Sequence, residues 1–337
     1  MPDYTIAVDA MGGDFGPRVT VHATVEALKR HPHLKVSLVG HRDKISPLLK
    51  RLKPDLASRL AVVHADAVIE CDEKPSHALR HGQASSMYIA LNEVAAGRAK
   101  ACVSAGNTGA LMALGRHILR TLPGIDRPAI ISAVPTLTGH SYMLDLGANV
   151  DCSAEHLLQF AIMGSVMVQA VERKAAPSIG LLNIGQEQIK GNSQVRLASR
   201  LIESHDELNY IGYVEGDDLF SGRADVVVCD GFVGNIALKS SEGLARLIGR
   251  KVRASFRRGL YRRLLAFLAQ PALLELQRQI DPSRQNGASL LGLQGIVIKS
   301  HGGANRRCFR YALDHAVAEI EMGVPDRISQ QLERHLA

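Results

Sequence analysis

The chain has 337 residues, 46% hydrophobic and 22% charged, enough to bury a large core at the charge density of an ordinary folded soluble protein. Its five cysteines (Cys71, Cys102, Cys152, Cys229 and Cys308) are scattered without a Cys-x-x-Cys pair, Asp3 stands where a signal peptide would be basic, and Leu157 to Val171, the longest strongly apolar uncharged stretch, falls short of the roughly 20 residues that span a bilayer. The composition therefore speaks against a zinc or redox dithiol site, an exported protein and a spanning helix, and the expected location is the cytoplasm.

Thr5 to Ala10 reads as a first strand, followed by the glycine turn Met11 to Gly16 and a helix from Pro17 to about Arg30, where a proline near the start costs little. Lys35 to Val39 and Leu60 to His64 follow as strands, with helices expected at Lys44 to Lys53 and His77 to Ala96. Ala101 to Ser104 leads through Gly106-Asn107 into a helix ending near Thr121. Strands at Ala129 to Val134 and Tyr142 to Leu146 precede a long apolar helix, Ala154 to Glu172. Ile179 to Asn183, Asn209 to Val214, Val226 to Cys229 and Gly295 to Lys299 complete the strands, with a helix at Gln194 to Ser204 and a final helix pair. Strands regularly separated by helices predict a mostly parallel sheet covered on both faces.

Three strand ends share one pattern. In Ala224 to Gly243 the apolar block Val226, Val227, Val228 stops at Asp230-Gly231, and Gly234-Asn235 opens a segment of helical period. Ser104 to Gly109 and His301 to Asn305 repeat the arrangement. Such turns place bare N–H groups and the positive end of a helix dipole at the carboxyl edge of a sheet, where an anion is stabilised. Together they predict one polar cleft for an anionic substrate, although each glycine is also explained by the positive φ that connecting turns need.

The net charge of +7 has a single source. Between Glu242 and Glu275 there is no acidic residue, while Arg246, Arg250, Lys251, Arg253, Arg257, Arg258, Arg262 and Arg263 give +8, leaving the remainder one unit negative. Within this excursion, Ser240 to Ile280, two helical patterns meet at Gly259. Leu244, Leu247, Ile248, Val252 and Phe256 share one helical face, with Arg246, Arg250, Arg253 and Arg257 on the opposite one. A solvated helix, a dimer helix, and attachment to an anionic membrane surface or an acidic partner all fit this pattern.

Asp9-Ala-Met-Gly-Gly-Asp-Phe-Gly-Pro17, Ser104-Ala-Gly-Asn-Thr-Gly-Ala-Leu-Met112, Leu144-Asp-Leu-Gly-Ala-Asn149 and Leu181-Leu-Asn-Ile-Gly185 resemble the PlsX family of bacterial phosphate acyltransferases. Cys229-Asp-Gly-Phe-Val-Gly-Asn235, Leu290-Leu-Gly-Leu293 and Lys299-Ser-His-Gly302 extend the resemblance over nearly the whole chain. It implies a single three-layer α/β/α catalytic domain over 1–337, related to isocitrate and isopropylmalate dehydrogenases and to phosphotransacetylase, with a helical excursion near 240–280. It implies transfer of a fatty acyl group from acyl carrier protein to inorganic phosphate, giving acyl phosphate for phosphatidate synthesis and a downstream glycerol-3-phosphate acyltransferase. It further implies a homodimer peripherally bound to the inner face of the membrane. Gln186 and Gln188 flank Glu187 where relatives tend to be acidic, and Arg246 to Gln279 matches least.

Attack of phosphate on a thioester needs the nucleophile held in line and the oxyanion stabilised, and a thiol of pKa about 8.5 leaves readily. Positioning and hydrogen bonds therefore suffice, with no covalent nucleophile, metal or cofactor. Phosphate is placed among Ser104, Gly106, Asn107 and Thr108, the Gly234-Asn235 turn, and a cation, Lys190 or Lys239. Asn107, Asn183 and Asn235 are amide donors to the oxyanion or, equally, helix caps. His301 is the candidate general acid or base. Asp9, Asp14, Asp145 and Asp230 follow or nearly follow strands, so they can gather at one sheet edge or serve as turn and cap residues. Gly12, Gly13, Asn149 and Glu187 complete the substrate-binding set, and Arg246, Arg250, Arg253, Arg257, Arg258, Arg262, Arg263, Leu264, Phe267 and Leu268 form the expected membrane or carrier-protein contact.

The first alternative is an NAD- and metal-dependent decarboxylating dehydrogenase of the isopropylmalate type, but no aspartate cluster or arginine set stands at convincing spacing. Gly12 to Gly16 lacks the Gly-x-Gly-x-x-Gly spacing of a dinucleotide turn. His77 and His81 have metal-binding spacing without an acidic third ligand evident nearby. Nucleic acid is not an expected partner, because only Phe256, Tyr261 and Phe267 interleave with the basic run.

Overall fold

The computed structural model describes residues 3–256, 259–280 and 286–336. Its strands are β1 (Tyr4–Asp9), β2 (Leu34–Gly40), β3 (Leu60–His64), β4 (Ala101–Ser104), β5 (Ala129–Thr136), β6 (Gly139–Leu144), β7 (Ile179–Leu182), β8 (Tyr210–Val214), β9 (Val226–Val228), β10 (Ala288–Leu291) and β11 (Ile296–Lys299). They form one 11-stranded sheet in the order β3-β2-β1-β4-β11-β10-β5-β6-β9-β7-β8. The helices are α1 (Pro17–Arg30), α2 (Arg42–Leu49), α3 (Pro54–Ala57), α4 (Pro75–His81), α5 (Ser86–Ala95), α6 (Thr108–Leu119), α7 (Ala154–Glu172), α8 (Ser193–Glu203), α9 (Gly231–Phe256), α10 (Leu260–Leu268), α11 (Gln270–Ile280), α12 (Arg306–Met322) and α13 (Val324–Leu336).

The sheet is mostly parallel, as expected, but it reverses direction in the middle. β1, β2, β3, β4 and β11 run one way. β10 is antiparallel to both β11 and β5, and β5 is antiparallel to β6. Thus β6, β9, β7 and β8, parallel among themselves, run opposite to the first group. β10 is absent from the reading of the sequence because it is only four residues long, Ala-Ser-Leu-Leu, between Gly287 and Gly292, both at positive φ. Its pairing comes from β11, just after it, and from β5, far away in the chain, and a short apolar run carries no periodicity of its own.

Both faces are covered. On one, α5 and α6 pack Met87, Leu91, Leu111 and Leu114 against Ala7, Cys102 and Val297, with Ala237 and Leu238 of α9 at the margin. On the other, α1 and α12 bury Val21, Leu28, Phe309 and Leu313 against Ile6, Val8 and Ile298. α7, α8 and α13 cover β6, β7 and β9 on that same side, around Phe160, Met163 and Ile202. α7 is long and apolar enough to cross a membrane by length and composition, yet 67% of it is buried as a core helix. Ser153 begins it, accepting from His156 N at 3.3 Å while His156 Nδ1 accepts from Ser153 N at 3.1 Å, a reciprocal cap.

Two predicted helices are divided. His77 to Ala96 breaks at Gly82–Ala84, because Gly82 ends α4 and Ser85, in extended backbone, caps α5 through Tyr88 N at 3.2 Å. Lys44 to Lys53 ends at Leu49, and Pro54 starts the short α3. The third difference matters for the site: α9 begins at Gly231, so Gly234 and Asn235 lie inside its first turns rather than in a turn before it. Gly234 is buried, with φ outside the positive region. A Cβ there would sit 1.9 Å from the Asp145 carbonyl oxygen, so glycine is required for close approach and not for positive φ.

Candidate active site

Asp9, at the end of β1, is 2% exposed and fully engaged. Oδ1 accepts from Ser86 Oγ at 2.7 Å and from the backbone N–H groups of Met11 and Gly12, both at 3.2 Å, and Oδ2 accepts from Ser104 Oγ at 2.7 Å. Ser104 Oγ in turn accepts from Gly106 N at 3.0 Å. Burial pushes the Asp9 carboxyl above its ordinary value while these donors pull it back. Around it three turns meet backbone to backbone. A Cβ on Gly12 would lie 2.7 Å from Gly106 N, and one on Gly13 2.9 Å from Gly302 O, while Asp14 N donates to Gly302 O at 3.0 Å. Asp9 therefore acts as a lock under the ends of β1, β4 and β11, and its oxygens are not free for substrate.

On this base stands the start of α6. Asn107 caps it, Oδ1 accepting from Ala110 N at 3.0 Å. Its Nδ2 donates to the carbonyls of Glu70, Cys71 and Glu73 at 3.2, 3.0 and 2.8 Å. The amide is thus occupied as a cap and as a clamp on the 70–73 loop. Beside it, exposed Thr108 begins the helix, whose first N–H groups have no intrahelical acceptor. Asn107→Ala should cost about 2 kcal/mol of stability. A fall in melting temperature, with kcat changed less than about tenfold while the enzyme stays folded, is the expected result; an unchanged melting temperature with a larger rate loss would contradict the clamp.

His301 follows β11 and is exposed. Its backbone N–H donates to Asn286 Oδ1 at 2.9 Å, and its Nδ1 accepts from Gly303 N at 3.1 Å. That bond assigns the ring proton of the neutral form to Nε2, which faces no protein partner among the described residues.

A second group lies at the ends of β6 and β9. Asp145 is 0% exposed. Oδ1 accepts from Ile130 N at 2.9 Å and Ala148 N at 3.1 Å, and Oδ2 from Asn149 N at 2.7 Å and Asn149 Nδ2 at 2.9 Å. Asp230 Oδ1 caps α9 through Val233 N at 2.8 Å, and Gly231 N donates to Asn149 O at 2.8 Å. Because the sheet reverses, the four aspartates do not form one row. Asp9 and Asp14 belong to one group, Asp145 and Asp230 to the other, and of these Asp9, Asp145 and Asp230 are engaged in turns and caps. Buried Asn149 likewise braces Pro128 O, at 2.8 Å.

The first turns of α9 connect the two groups. Asn235 is exposed and rests on Gly147, where a Cβ would be 3.4 Å from the Asn235 Cβ. Its amide has no hydrogen-bond partner among the described residues. One turn on, Lys239 reaches Glu242 at 3.3 Å and lies close enough to Lys299 of β11 for the two ammonium groups to repel. Lys299 went unassigned in the sequence, although a lysine ending the buried run Ile296-Val-Ile beside Ser104 was a readable signal. Ser86, which donates to Asp9 from a distant helix, had none.

A third group follows β7, which pairs in parallel with β9 and so ends at the same sheet edge as Asp230. Asn183 Nδ2 donates to Gly185 O at 3.0 Å, and Lys190 and Glu187 are exposed and pack over Gly185. Among the described residues no bond joins Lys190 to the other groups. His77, whose sequence neighbourhood suggested no carboxylate partner, bonds Glu73 Oε1 at 2.9 Å; the described residues contain no cluster of three metal-ligating side chains.

Along α9 nearly everything beyond its first turns is open: Leu244, Leu247 and Ile248 are 58%, 51% and 50% exposed. Arg246 pairs with Glu242 at 3.6 Å, Arg250 and Arg253 are exposed, and Arg262 reaches Ser255 O at 3.5 Å. Tyr261, Phe267 and Leu268 of α10 are strongly exposed. Arg257 and Arg258 lie outside the described residues, as do the side chains of Arg263 and Leu264.

Against known proteins, the chain matches the family described as fatty acid synthesis protein over residues 4–327. It is 54% identical over 332 residues to a phosphate acyltransferase of Legionella pneumophila strain Paris, covering 98% of this chain and 97% of that one. A phosphate acyltransferase of Halorhodospira halophila is also 54% identical, over the same shares. Among solved structures, a phosphotransacetylase from Streptococcus pyogenes superimposes with a TM-score of 0.64 at 18% identity, covering 95% of this chain and 94% of that chain. A 4-hydroxythreonine-4-phosphate dehydrogenase from Klebsiella pneumoniae does so with a TM-score of 0.52 at 15% identity, covering 94% and 99%. These two share the fold. With a family match spanning the sheet from β1 to α13 and relatives identical at more than half their positions, the chain belongs to the fatty acid synthesis protein family, among relatives that carry the name phosphate acyltransferase.

Proposed function

We propose that the chain transfers a fatty acyl group from the thioester of acyl carrier protein to inorganic phosphate, releasing acyl phosphate for phospholipid synthesis. A phosphate oxygen of the hydrogen phosphate dianion attacks the thioester carbonyl carbon, the C–S bond breaks, and the proton carried by phosphate ends on the departing thiol. The products are acyl phosphate dianion and free thiol. The observation that carries the reading is the near-full-length identity to phosphate acyltransferases, which favours it over the dehydrogenase alternative. The geometry supports it, because Thr108 opens α6 just after Ser104, which pairs with Lys299, and Lys239, one turn from the free Asn235 amide, is within repelling range of Lys299, which makes the space between them the proposed cleft.

In that cleft the start of α6 and Lys239 hold phosphate, and the free amide of Asn235 donates to the oxyanion as the carbonyl becomes tetrahedral. His301 Nε2 is the group placed to pass a proton to the thiolate. Lys190 and Glu187, on their separate exposed loop, meet the donor as it enters. The bare apolar face of α9 suits a homodimer contact. The exposed Phe267 and Leu268 with neighbouring arginines suit an anionic membrane or the acidic carrier, at the inner face of a cytoplasmic membrane. The acyl phosphate, a mixed anhydride, would pass to an acyl-phosphate-dependent glycerol-3-phosphate acyltransferase. At the level of fold we infer kinship with isocitrate and isopropylmalate dehydrogenases, which the structural likeness to another dehydrogenase favours.

Incubating the protein with palmitoyl carrier protein and labelled phosphate tests the activity. Phosphate-dependent loss of thioester with label appearing in acyl phosphate is expected; loss at the same rate without phosphate would identify a thioesterase instead.

A further inference from the structure

Lys299 ends β11 opposite Ser104 of β4, and strand alternation puts its side chain on the same sheet face as Val297, beneath α5 and α6. Its ammonium donates to the Ser300 carbonyl of its own chain and forms no ion pair among the described residues. The charged and titratable groups facing it are Asp9 at the end of β1, Asp14 in the following turn, Cys71 of the loop clamped by Asn107, and Lys239 of α9. Asp9, Asp14 and Cys71 attract it, but none forms an ion pair with it among the described residues. Asp9 is saturated by two serine hydroxyls and two backbone N–H groups, and Lys239 repels it. A largely desolvated cation with no carboxylate in direct contact is costly, and an anion bound beside it would offset that cost.

Building on the reading of this cleft as the phosphate site, we infer that Lys299 is the principal ammonium that binds phosphate, seated between Lys239 and the start of α6. It is a binding residue that the sequence motif did not reveal.

The inference has a pH signature. Burial, the leading cause, pushes the Lys299 ammonium down to about 8. The charged form is therefore complete below that pH and lost above it. Because the dianion favours the charged form, phosphate binding above pH 8 should take up a proton.

The KM for phosphate would be measured from pH 6.5 to 10 at saturating palmitoyl carrier protein. Expressed as the concentration of phosphate dianion, it should be constant to about pH 8 and then rise about tenfold per unit in the wild type and in Cys71→Ser, the control for the neighbouring thiol. Lys299→Arg, whose guanidinium does not titrate in this range, should lose that rise. Lys299→Met should raise the phosphate KM about 100-fold at pH 7 while moving the acyl-donor KM less than about threefold. A wild-type phosphate KM flat to pH 10, or a Lys299→Met value within about threefold of wild type, would overturn the inference. Should Lys299→Met fail to fold, calorimetric phosphate binding to the wild type at pH 8.5 in two buffers of different ionisation enthalpy decides the matter. Uptake approaching one proton supports it and none refutes it. Absence of phosphate-dependent thioester loss would instead sink the functional reading, while the calorimetry still judges Lys299.

Discussion

Asn235→Ala should lower kcat by about 10²–10³-fold, with the melting temperature within a degree or two of wild type. The size follows from removing one oxyanion donor in a preorganised site. The selectivity follows from the surroundings of the side chain, which is exposed at the start of α9 and leaves its amide unbonded among the described residues, so truncation orphans nothing. Single-turnover rates with palmitoyl carrier protein, alongside thermal unfolding, separate the two effects. Parallel losses of rate and stability would reassign Asn235 to holding the Gly147 turn, against which its Cβ rests. Asn107→Ala should behave in the opposite way, because that amide is already occupied by three loop carbonyls.

Gly234→Ala should be the most damaging single methyl group in the chain. A Cβ at this position would stand 1.9 Å from the Asp145 carbonyl oxygen and 2.9 Å from Cys229 Sγ. The Asp145 segment cannot yield easily, since its carboxylate is tied by Ile130, Ala148 and Asn149. Alanine improves a helix over glycine by about 1 kcal/mol, whereas overpacking at a fixed backbone costs about 3 kcal/mol or more, so the clash wins. A fall of about 3 °C or more in melting temperature is expected, with activity lost as α9 tilts Asn235 and Lys239 out of place. Gly243→Ala supplies the control on the same helix. Nothing lies within 4 Å of its added methyl, so the propensity gain stands alone and stability should rise by up to about 1 kcal/mol. If both substitutions stabilise, α9 is not held against the Asp145 turn.

The regular parts were legible because their signals are local. β-branched runs such as Val226 to Val228 mark strands, Pro17 marks a helix start, and Asp230-Gly231 marks a strand end, each within a few residues. Misreadings arose where one glycine has two explanations. Gly234 read as a turn residue, and only the approach of the Asp145 carbonyl shows that it is a packing residue inside a helix. β10 escaped notice because its four residues become a strand only between β5 and β11.

By itself the sequence determined the kinds of element, the mostly parallel sheet covered on both faces, and the family, because these depend on neighbouring residues and on motifs in a fixed order. The tertiary structure alone decided which polar groups are free. Asp9, Asp145 and Asn107 look equivalent to Asn235 and Lys299 as letters after a strand. In space the first three are engaged by donors or acceptors from segments up to 95 residues away, while the Asn235 amide has no partner among the described residues and the Lys299 ammonium meets only the carbonyl of Ser300. Hydrogen-bond saturation is set by which backbones meet, and that is fixed by the reversal of the sheet at β10 and β6 and by the line α9 takes across it.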